Sequence, residues 1–211
     1  PDEYLKTVEI AKDCVDVPVI ASLNGTGLSG WVQFAEQIAN AGADAIELNI
    51  FRIVTDPDET AAEVEQGFVD LMRSVCGAVS VPVAAKIGAQ FSALPHFARR
   101  MEEAGAQGLV LFNRFLYPEM DLHDLEFTPH LRLSTSAESL KTLRWIAILR
   151  DQLQLSLGAT SGVHHVQDAI KLLLAGADVV MLTSALLKQG PEHIVTLSTE
   201  LQAWLEEHEY Q

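Results

Sequence analysis

Apolar residues follow two different patterns along this chain. Short continuous apolar runs predict strands near residues 17–23, 44–49, 82–87, 108–113, 154–160 and 178–182. Between these runs, apolar residues recur every three or four positions, as they do in helices that turn one face to a core. Three such stripes are Trp31, Phe34, Ile38 and Ala41; Phe68, Leu71, Met72 and Val75; and Leu140, Leu143, Ile146 and Leu149.

Strand and helix signals alternate in a repeated way. Segments 41–49, 104–113 and 175–183 each end a helix with Ala-Gly and then enter an apolar strand. Such strands are typical of parallel sheets covered on both faces, so the pattern predicts an α/β fold. We expect a (β/α)8 TIM-barrel type. A complete barrel needs eight strands and about 250 residues, so this chain holds about six of the eight strand-helix units. We expect residues 1–211 to form a single domain.

One long stretch, residues 114–138, shows neither pattern. It contains Tyr117-Pro118, Thr128-Pro129 and several acidic residues. Long loops in compact domains are usually functional or mobile, so we predict an irregular loop over the mouth of the barrel. His123 and His130 lie in it without a recognised metal-ligand spacing, and we expect no metal site.

Charge and cysteine content narrow the function classes. The formal net charge is -15, and the 14 Lys and Arg residues are scattered, which argues against nucleic-acid or anionic-membrane partners. No apolar run reaches the ~18 residues of a membrane span, and no basic-then-apolar leader opens the chain; a cytoplasmic protein is expected. Cys14 and Cys76 lack CxxC spacing, which predicts buried free thiols.

Two consecutive strand ends carry small hydroxyl or glycine residues. Ser161-Gly162 and Thr183-Ser184 each follow an apolar run and precede a helical pattern. Amides at helix N-termini attract anions, and adjacent late strand ends form the usual phosphate site of a parallel barrel. The pattern therefore predicts a phosphate site. The alternative is that Ser161 and Thr183 are only helix N-caps.

Other strand ends carry amides and one cation, and such ends hold the reactive groups of a parallel barrel. The strand-end candidates are Asn24, Asn49, Lys86, Asn113 and Ser134. This set suits a planar, hydrogen-bonding, phosphorylated ligand, because it offers no acid-base dyad. Lys86 would stabilise charge on that ligand; alternatively it extends to solvent or pairs with Glu47.

A series of short motifs in a fixed order resembles the dihydroorotate dehydrogenase family, more narrowly a dihydroorotate dehydrogenase-like branch. The motifs are PVIASLNG at 18–25, ELN at 47–49, PVAAK at 82–86, ATSGV at 159–163, QDA at 167–169 and GAD at 176–178. The resemblance implies an FMN-dependent oxidoreductase barrel of the pyrimidine-biosynthesis type, with hydride transfer to flavin N5 from a dihydroorotate-like small molecule.

The resemblance also implies roles for individual residues. Asn49 matches the family's substrate and flavin asparagine, Lys86 the lysine beside the flavin pyrimidine edge, and Asn113 a strand-end asparagine. The phosphate turns fall on Ser161, Gly162, Thr183 and Ser184. Ser134 matches a backbone-binding turn, and Asn24 completes the cofactor-binding set.

Two departures from the family pattern qualify this expectation. Arg52 stands where catalytic members carry a cysteine or serine base, and an arginine cannot accept a proton. It would hold an anionic substrate or pair with Asp56 or Asp58. The family's first two strands would precede Pro1, so we expect a fragment, or a chain completed by another, including a homo-oligomer.

Two other functions stay open at this point. One is a non-catalytic or fragmentary phosphate- or flavin-binding module. The other is a different phosphate-binding barrel enzyme, for which Glu47 is the candidate strand-end carboxylate.

Overall fold

The computed structural model describes residues 2–25, 27–114 and 116–210, with the backbone alone for Leu28. Its helices are α1 Asp2–Cys14, α2 Leu28–Asn40, α3 Ala61–Ala78, α4 Leu94–Glu103, α5 Ser139–Leu149, α6 Val166–Leu174, α7 Ser184–Gln189 and α8 His193–Glu207, with a 3-10 turn Ser136–Glu138. Its strands are β1 Ile20–Leu23, β2 Ala45–Ile50, β3 Val83–Ile87, β4 Gly108–Leu111, β5 Tyr117–Asp121, β6 Glu126–His130, β7 Ser156–Thr160 and β8 Val179–Met181.

Six of these strands form one sheet, in the order β1-β2-β3-β4-β7-β8. The pairs β1–β2, β2–β3 and β7–β8 are parallel, with Ser22 opposite Glu47 and Asn49 opposite Lys86. Helices lie between successive strands of this sheet along the chain, as crossover connections between parallel strands require. The predicted α/β fold of (β/α)8 type, with about six strand-helix units, is confirmed.

The chain divides into two compact units. The first runs to Val110 and adds Asp151–Leu157. Its core includes Ile38 from α2 and Met72 and Val75 from α3, all fully buried, as the apolar stripes predict. Helix α3 begins with a capping box in which Thr60 and Glu63 satisfy each other's backbone amides.

The second unit comprises Leu111–Arg150 and the chain from Gly158 onwards. Ile146 and Leu149 of α5 are buried, but Leu140 is 60% exposed, so that part of the predicted stripe is wrong. Thr142 takes the buried position instead, and its hydroxyl donates to the carbonyl of Thr160 at 3.1 Å. A polar residue with a hydrogen-bond partner can occupy a core position that hydrophobic periodicity assigns to leucine.

The segment predicted to be an irregular loop contains an antiparallel hairpin. Strands β5 and β6 pair from Tyr117 opposite His130 to Asp121 opposite Glu126. Every residue of both strands is exposed. The irregular prediction is therefore wrong for these two strands, whereas the position of the segment over a barrel mouth stays a prediction.

The two cysteines differ in their exposure to solvent. Cys76 is partly buried, but Cys14 is exposed, so the prediction of a buried thiol is wrong for Cys14. Among the described residues, no helix combines the length and the apolar character needed to cross a bilayer.

Candidate functional site

The predicted site residues divide between the two units. Those in the first unit are Asn24, Asn49, Arg52 and Lys86, and those in the second are Asn113, Ser134, Ser161, Gly162, Thr183 and Ser184. All of these residues except Ser134 lie at or just after the carboxyl end of a strand of the six-stranded sheet, and Ser134 lies in the loop after β6.

Three residues of the first unit come together at neighbouring strand ends. The side-chain amide of Asn49 donates to Oδ1 of Asn24 at 2.7 Å. Asn49 also lies opposite Lys86 in the register of β2 and β3. Parallel pairing therefore aligns an ammonium group and two carboxamides along one edge.

A buried carboxylate lies beneath this edge. Glu47 is only 4% exposed, and its Oε1 accepts from Ser22 Oγ at 2.8 Å and from Lys86 Nζ at 3.4 Å. Lys86 thus forms the ion pair with Glu47 that was the alternative expectation for this residue. The pair leaves the ammonium partly accessible, because the Lys86 side chain is 24% exposed.

Tyr4 of α1 extends the same network. Its hydroxyl donates to the carbonyl of Ser22 at 2.8 Å. Burial raises the pKa of Tyr4, the hydrogen bond to Ser22 opposes that rise, and the Glu47 carboxylate adds to it. A cavity of about 970 Å³ adjoins these groups and is lined by Tyr4, Ser22, Asn24, Gly25, Gln33 and Phe34 among others.

Arg52 follows β2 and is exposed. Its guanidinium is paired with the carboxylate of Glu59. The predicted partners were Asp56 and Asp58, and Asp56 instead accepts from the backbone amide of Asp58 at 2.9 Å. Arg52 is therefore ion-paired, but its partner is Glu59, the residue before the N-cap of α3, and not Asp56 or Asp58.

The turn after β7 has an unusual backbone. Ser161 has φ 76° and Gly162 has φ 80°, a region that L side chains rarely adopt. A Cβ at Gly162 would lie 2.4 Å from the amide nitrogen of Ser139, so only glycine fits this contact. The Ser161 hydroxyl donates to the carbonyl of Phe112 at 3.4 Å, one residue before Asn113.

Ser134 is the centre of a buried network in the second unit. Its amide donates to Ser184 Oγ at 3.0 Å, and its own hydroxyl lies 3.0 Å from Nε2 of His164. Lys188 Nζ donates to the Ser134 carbonyl at 2.8 Å. The structure thus joins Ser134 to Ser184, as a shared site requires.

His164 and Lys188 were not predicted to belong to this site. Burial lowers the pKa of His164, and the nearby charge of Lys188 lowers it further, so the imidazole is neutral at pH 7. Their contacts with Ser134 span 30 and 54 positions of sequence, and no local motif signals such a contact.

The start of α6 already holds an anion. Oδ2 of Asp168 accepts from the backbone amides of His164 and His165, each at 3.1 Å, and from Ser136 Oγ at 2.7 Å. Burial acts to raise the Asp168 pKa, but these hydrogen bonds outweigh it and hold the pKa below its usual value. Residue 165 is the N-cap of α6.

The cap positions of α6 and α7 bear on the N-cap alternative for the two hydroxyl residues. Ser161 lies before the cap of α6, so the reading of Ser161 as an N-cap is wrong. Thr183 is the N-cap of α7, although its side chain makes no cap hydrogen bond. Ser184 accepts a bond from Ser134 and still has a hydroxyl proton to donate.

Comparisons with known proteins show which family this chain belongs to. The dihydroorotate dehydrogenase family model matches residues 2–205. The chain is 26% identical over 185 residues to dihydroorotate dehydrogenase A (fumarate) of Lactobacillus delbrueckii. The aligned region covers 85% of this chain and 60% of that protein. The chain is 29% identical over 185 residues to the catalytic subunit of dihydroorotate dehydrogenase B (NAD(+)) of Bacillus pumilus. The aligned region covers 81% of this chain and 56% of that protein.

The chain therefore spans about three fifths of the length of the curated relatives it matches. The family match extends through both compact units and includes every residue of the two strand-end sets. This chain belongs to the dihydroorotate dehydrogenase family.

Proposed function

We propose that this chain functions as an FMN-dependent oxidoreductase that acts on a dihydroorotate-like small molecule in the cytoplasm, in pyrimidine biosynthesis. The observation that carries the proposal is the placement of Lys86 beside Asn49 and Asn24 at the strand ends of a chain that belongs to this family. Bound FMN supplies the two-electron acceptor chemistry that such an enzyme needs.

The residues present fit such a cofactor. A flavin ring offers carbonyl and nitrogen acceptors, which suit the Lys86 ammonium and the carboxamides of Asn24 and Asn49. A phosphate suits a tight turn without a side chain, and the clash that any Cβ would cause at Gly162 shows how closely that turn is packed. Ser161 and Ser184 contribute hydroxyls, and Thr183 and Asn113 stand at the neighbouring strand ends.

Lys86 is the residue that we assign to charge stabilisation. Its ammonium is held by the buried Glu47 carboxylate at 3.4 Å while remaining partly accessible. An ammonium held in position in a partly buried environment stabilises developing negative charge more strongly than a solvated one. Asn49 would orient the substrate, because its amide is itself oriented by Asn24.

Arg52 supports a second proposal, a flavin- or phosphate-binding module without turnover. Arginine stays protonated and cannot remove a proton from substrate, and this one is already paired with Glu59. Membership in the dihydroorotate dehydrogenase family disfavours the third reading, another phosphate-binding barrel enzyme, and Glu47 is committed to Lys86 and Ser22.

A flavin titration separates these readings. When FMN binds to the purified protein, the visible absorption of the flavin should shift and the fluorescence of the flavin should be quenched. Lys86→Met should weaken binding by roughly tenfold or more, the effect of losing a charged hydrogen-bond donor. Lys171→Met, on the exposed side of α6, is the charge-matched control and should leave the affinity unchanged.

The substrate is tested on the same complex. Anaerobic bleaching of the flavin band by dihydroorotate supports the oxidoreductase proposal. A flavin complex that dihydroorotate does not bleach supports the non-catalytic module, and no spectral change on adding FMN overturns both.

A further inference from the structure

One oxygen of the Glu47 carboxylate accepts from two donors on different strands. Ser22 of β1 lies opposite Glu47 in the register of β1 and β2, and its hydroxyl donates to Oε1 at 2.8 Å. The Lys86 ammonium of β3 donates to the same oxygen at 3.4 Å. The carboxylate is only 4% exposed, so these two donors contribute strongly to the compensation of its charge.

The two hydrogen bonds to this oxygen differ in length. Bonds from an ammonium to a carboxylate are usually about 2.7–2.9 Å long, and the contact between Lys86 and Glu47 is longer than that. The bond from the Ser22 hydroxyl has the ordinary length of an O–H···O bond. Because the closer donor stabilises the negative charge of the shared oxygen, that oxygen attracts the ammonium less. Glu47 thus restrains Lys86 without fully compensating its charge.

Two elements hold Ser22 in place. Its backbone is paired with β2 on one side, and its carbonyl accepts from the Tyr4 hydroxyl of α1 at 2.8 Å. The Tyr4 ring in turn lies near Phe34 of α2, with the ring centroids 6.0 Å apart. The Ser22 hydroxyl therefore meets Glu47 from a backbone position that both a strand and a helix determine.

The charge left on Lys86 acts on whatever lies at the carboxamide edge. The Lys86 side chain is 24% exposed, and it stands opposite Asn49. A ligand that becomes negatively charged at this edge competes with Glu47 for the ammonium. Charges in a partly buried environment interact more strongly than charges in water. The more completely Glu47 compensates Lys86, the less the ligand gains.

We propose that Ser22 is a positioning residue for Lys86. Its hydroxyl limits how far Glu47 compensates the ammonium, and so sets how strongly Lys86 favours the reduced, negatively charged form of a flavin over the oxidised form. This inference rests on the proposed function, because it requires that FMN binds at the edge formed by Lys86 and Asn49. Ser22 acts through Glu47 and does not need to contact the ligand.

The reduction potential of bound FMN tests the inference. Relative to free FMN, this potential gives the ratio of the affinities for reduced and oxidised flavin. Ser22→Val removes the hydroxyl and should lower the ratio roughly threefold, a fraction of the effect of one hydrogen bond. Glu47→Gln removes the counter-charge and should raise the ratio roughly tenfold, which is about 30 mV for a two-electron couple. Structural damage alone does not produce opposite shifts.

The controls separate the hydroxyl from the shape of the side chain. Ser22→Thr has the shape of Ser22→Val but keeps the hydroxyl, and the exposed position of residue 22 leaves room for the added methyl group; this variant should keep the wild-type ratio. Ser22→Ala, which adds no bulk, should lower the ratio as Ser22→Val does. Ser74→Ala removes a hydroxyl that donates within α3 to the Asp70 carbonyl at 2.8 Å, and it should leave the ratio unchanged.

The possible failures are distinguishable. A wild-type chain that binds no FMN overturns the proposed function and the role of Ser22 with it. If FMN binds, but Ser22→Val and Ser22→Thr give the same ratio, the role of Ser22 alone is overturned. The same holds if Ser22→Val and Glu47→Gln shift the ratio in the same direction.

Discussion

Lys86 Nζ lies 3.4 Å from Oε1 of Glu47, and the carboxylate is the more buried partner of the pair. Glu47 stands two residues before Asn49 on β2, and Lys86 stands opposite Asn49 on β3. The ion pair therefore fixes the position of the ammonium relative to the carboxamide edge. The stability of the Lys86–Glu47 ion pair therefore affects any ligand bound at this edge.

Glu47→Gln should destabilise the first unit. The substitution leaves the Lys86 ammonium partly buried without its counter-charge, and breaking such a pair costs about 2 kcal/mol when one partner keeps some solvent access. Urea unfolding measures the loss. Glu47→Gln combined with Lys86→Met should recover part of it, because no uncompensated charge then remains.

Asp70→Asn provides the comparison for that experiment. Asp70 pairs with Arg73 on the surface of α3, with both side chains at least half exposed. Its loss should cost under about 1 kcal/mol. Equal losses for Glu47→Gln and Asp70→Asn would contradict the structural role given to the buried pair.

Gly162→Ala should destabilise the second unit by about 2 kcal/mol or more. Alanine is strained at φ 80°, and its Cβ would lie 2.4 Å from the Ser139 nitrogen. The same substitution should abolish FMN binding if this turn holds the phosphate. Thermal unfolding and flavin titration measure the two effects.

Gly67→Ala is the control for the glycine experiment. Gly67 lies within α3, and apart from its chain neighbours and the nearby backbone of α3 no atom lies within 4 Å of an added Cβ. Alanine there should stabilise the protein by about 0.5–1 kcal/mol, because glycine is a poor helix former. A Gly162→Ala variant as stable as Gly67→Ala would contradict the close packing at the turn.

Asp168→Asn should lower stability at pH 7 by about 2 kcal/mol, because three donors lose a charged acceptor. The folded pKa of Asp168 lies below its ordinary value of 3.8. Its contribution is therefore complete above pH 3.8 and is lost as the pH falls through the lower folded pKa. Chemical denaturation of both proteins between neutral and acidic pH measures the difference.

The difference between wild type and Asp168→Asn should stay constant until the pH approaches 3.8 and then narrow. Asp151→Asn, at an exposed position after α5, should match the wild type throughout. If the difference in unfolding free energy between the two proteins already narrows near pH 6, a titrating group other than Asp168 causes the pH dependence.

His164 should make the protein less stable below pH 6.5. The folded pKa of His164 is below its ordinary value of 6.5, so at a pH between these two values the unfolded chain binds more protons than the folded one. Stability then falls as the pH drops below 6.5. His164→Gln, which keeps a hydrogen-bonding side chain near Ser134, should remove this part of the pH dependence in thermal unfolding.

His96→Gln serves as the comparison, since His96 is exposed on α4. That variant should retain the wild-type decline in melting temperature below pH 6.5. A His164→Gln variant whose decline matches the wild type would show that another histidine is responsible.

The sequence was most informative where local rules govern the structure. The six parallel strands and the neighbouring positions of Asn49 and Lys86 follow from apolar runs and strand spacing. The β5–β6 hairpin was missed, because proline and acidic residues are unfavourable in strands. Its alternation between an apolar and a mainly polar face was nevertheless visible in residues 116–131.

The site was less predictable, because several of its contacts join distant positions. Nothing local to Ser134 signals His164 or Lys188, which only the folded chain brings to it. The partner of Arg52 was assigned to the nearest aspartates, whereas the chain turns enough to bring Glu59 within reach. Periodicity locates a strand end, but it does not determine which carboxylate a long side chain reaches.

The Asp168 carboxylate accepts hydrogen bonds from the backbone amides of His164 and His165 at the start of α6, so these amides are satisfied without any ligand. An entering phosphate would find those two amides occupied and would have to be recognised by the preceding turn. We therefore expect amide hydrogen exchange at His164 and His165 to be equally slow before and after a ligand binds. Any change in amide protection on ligand binding should appear instead at Ser161 and Gly162, in the closely packed turn that precedes α6.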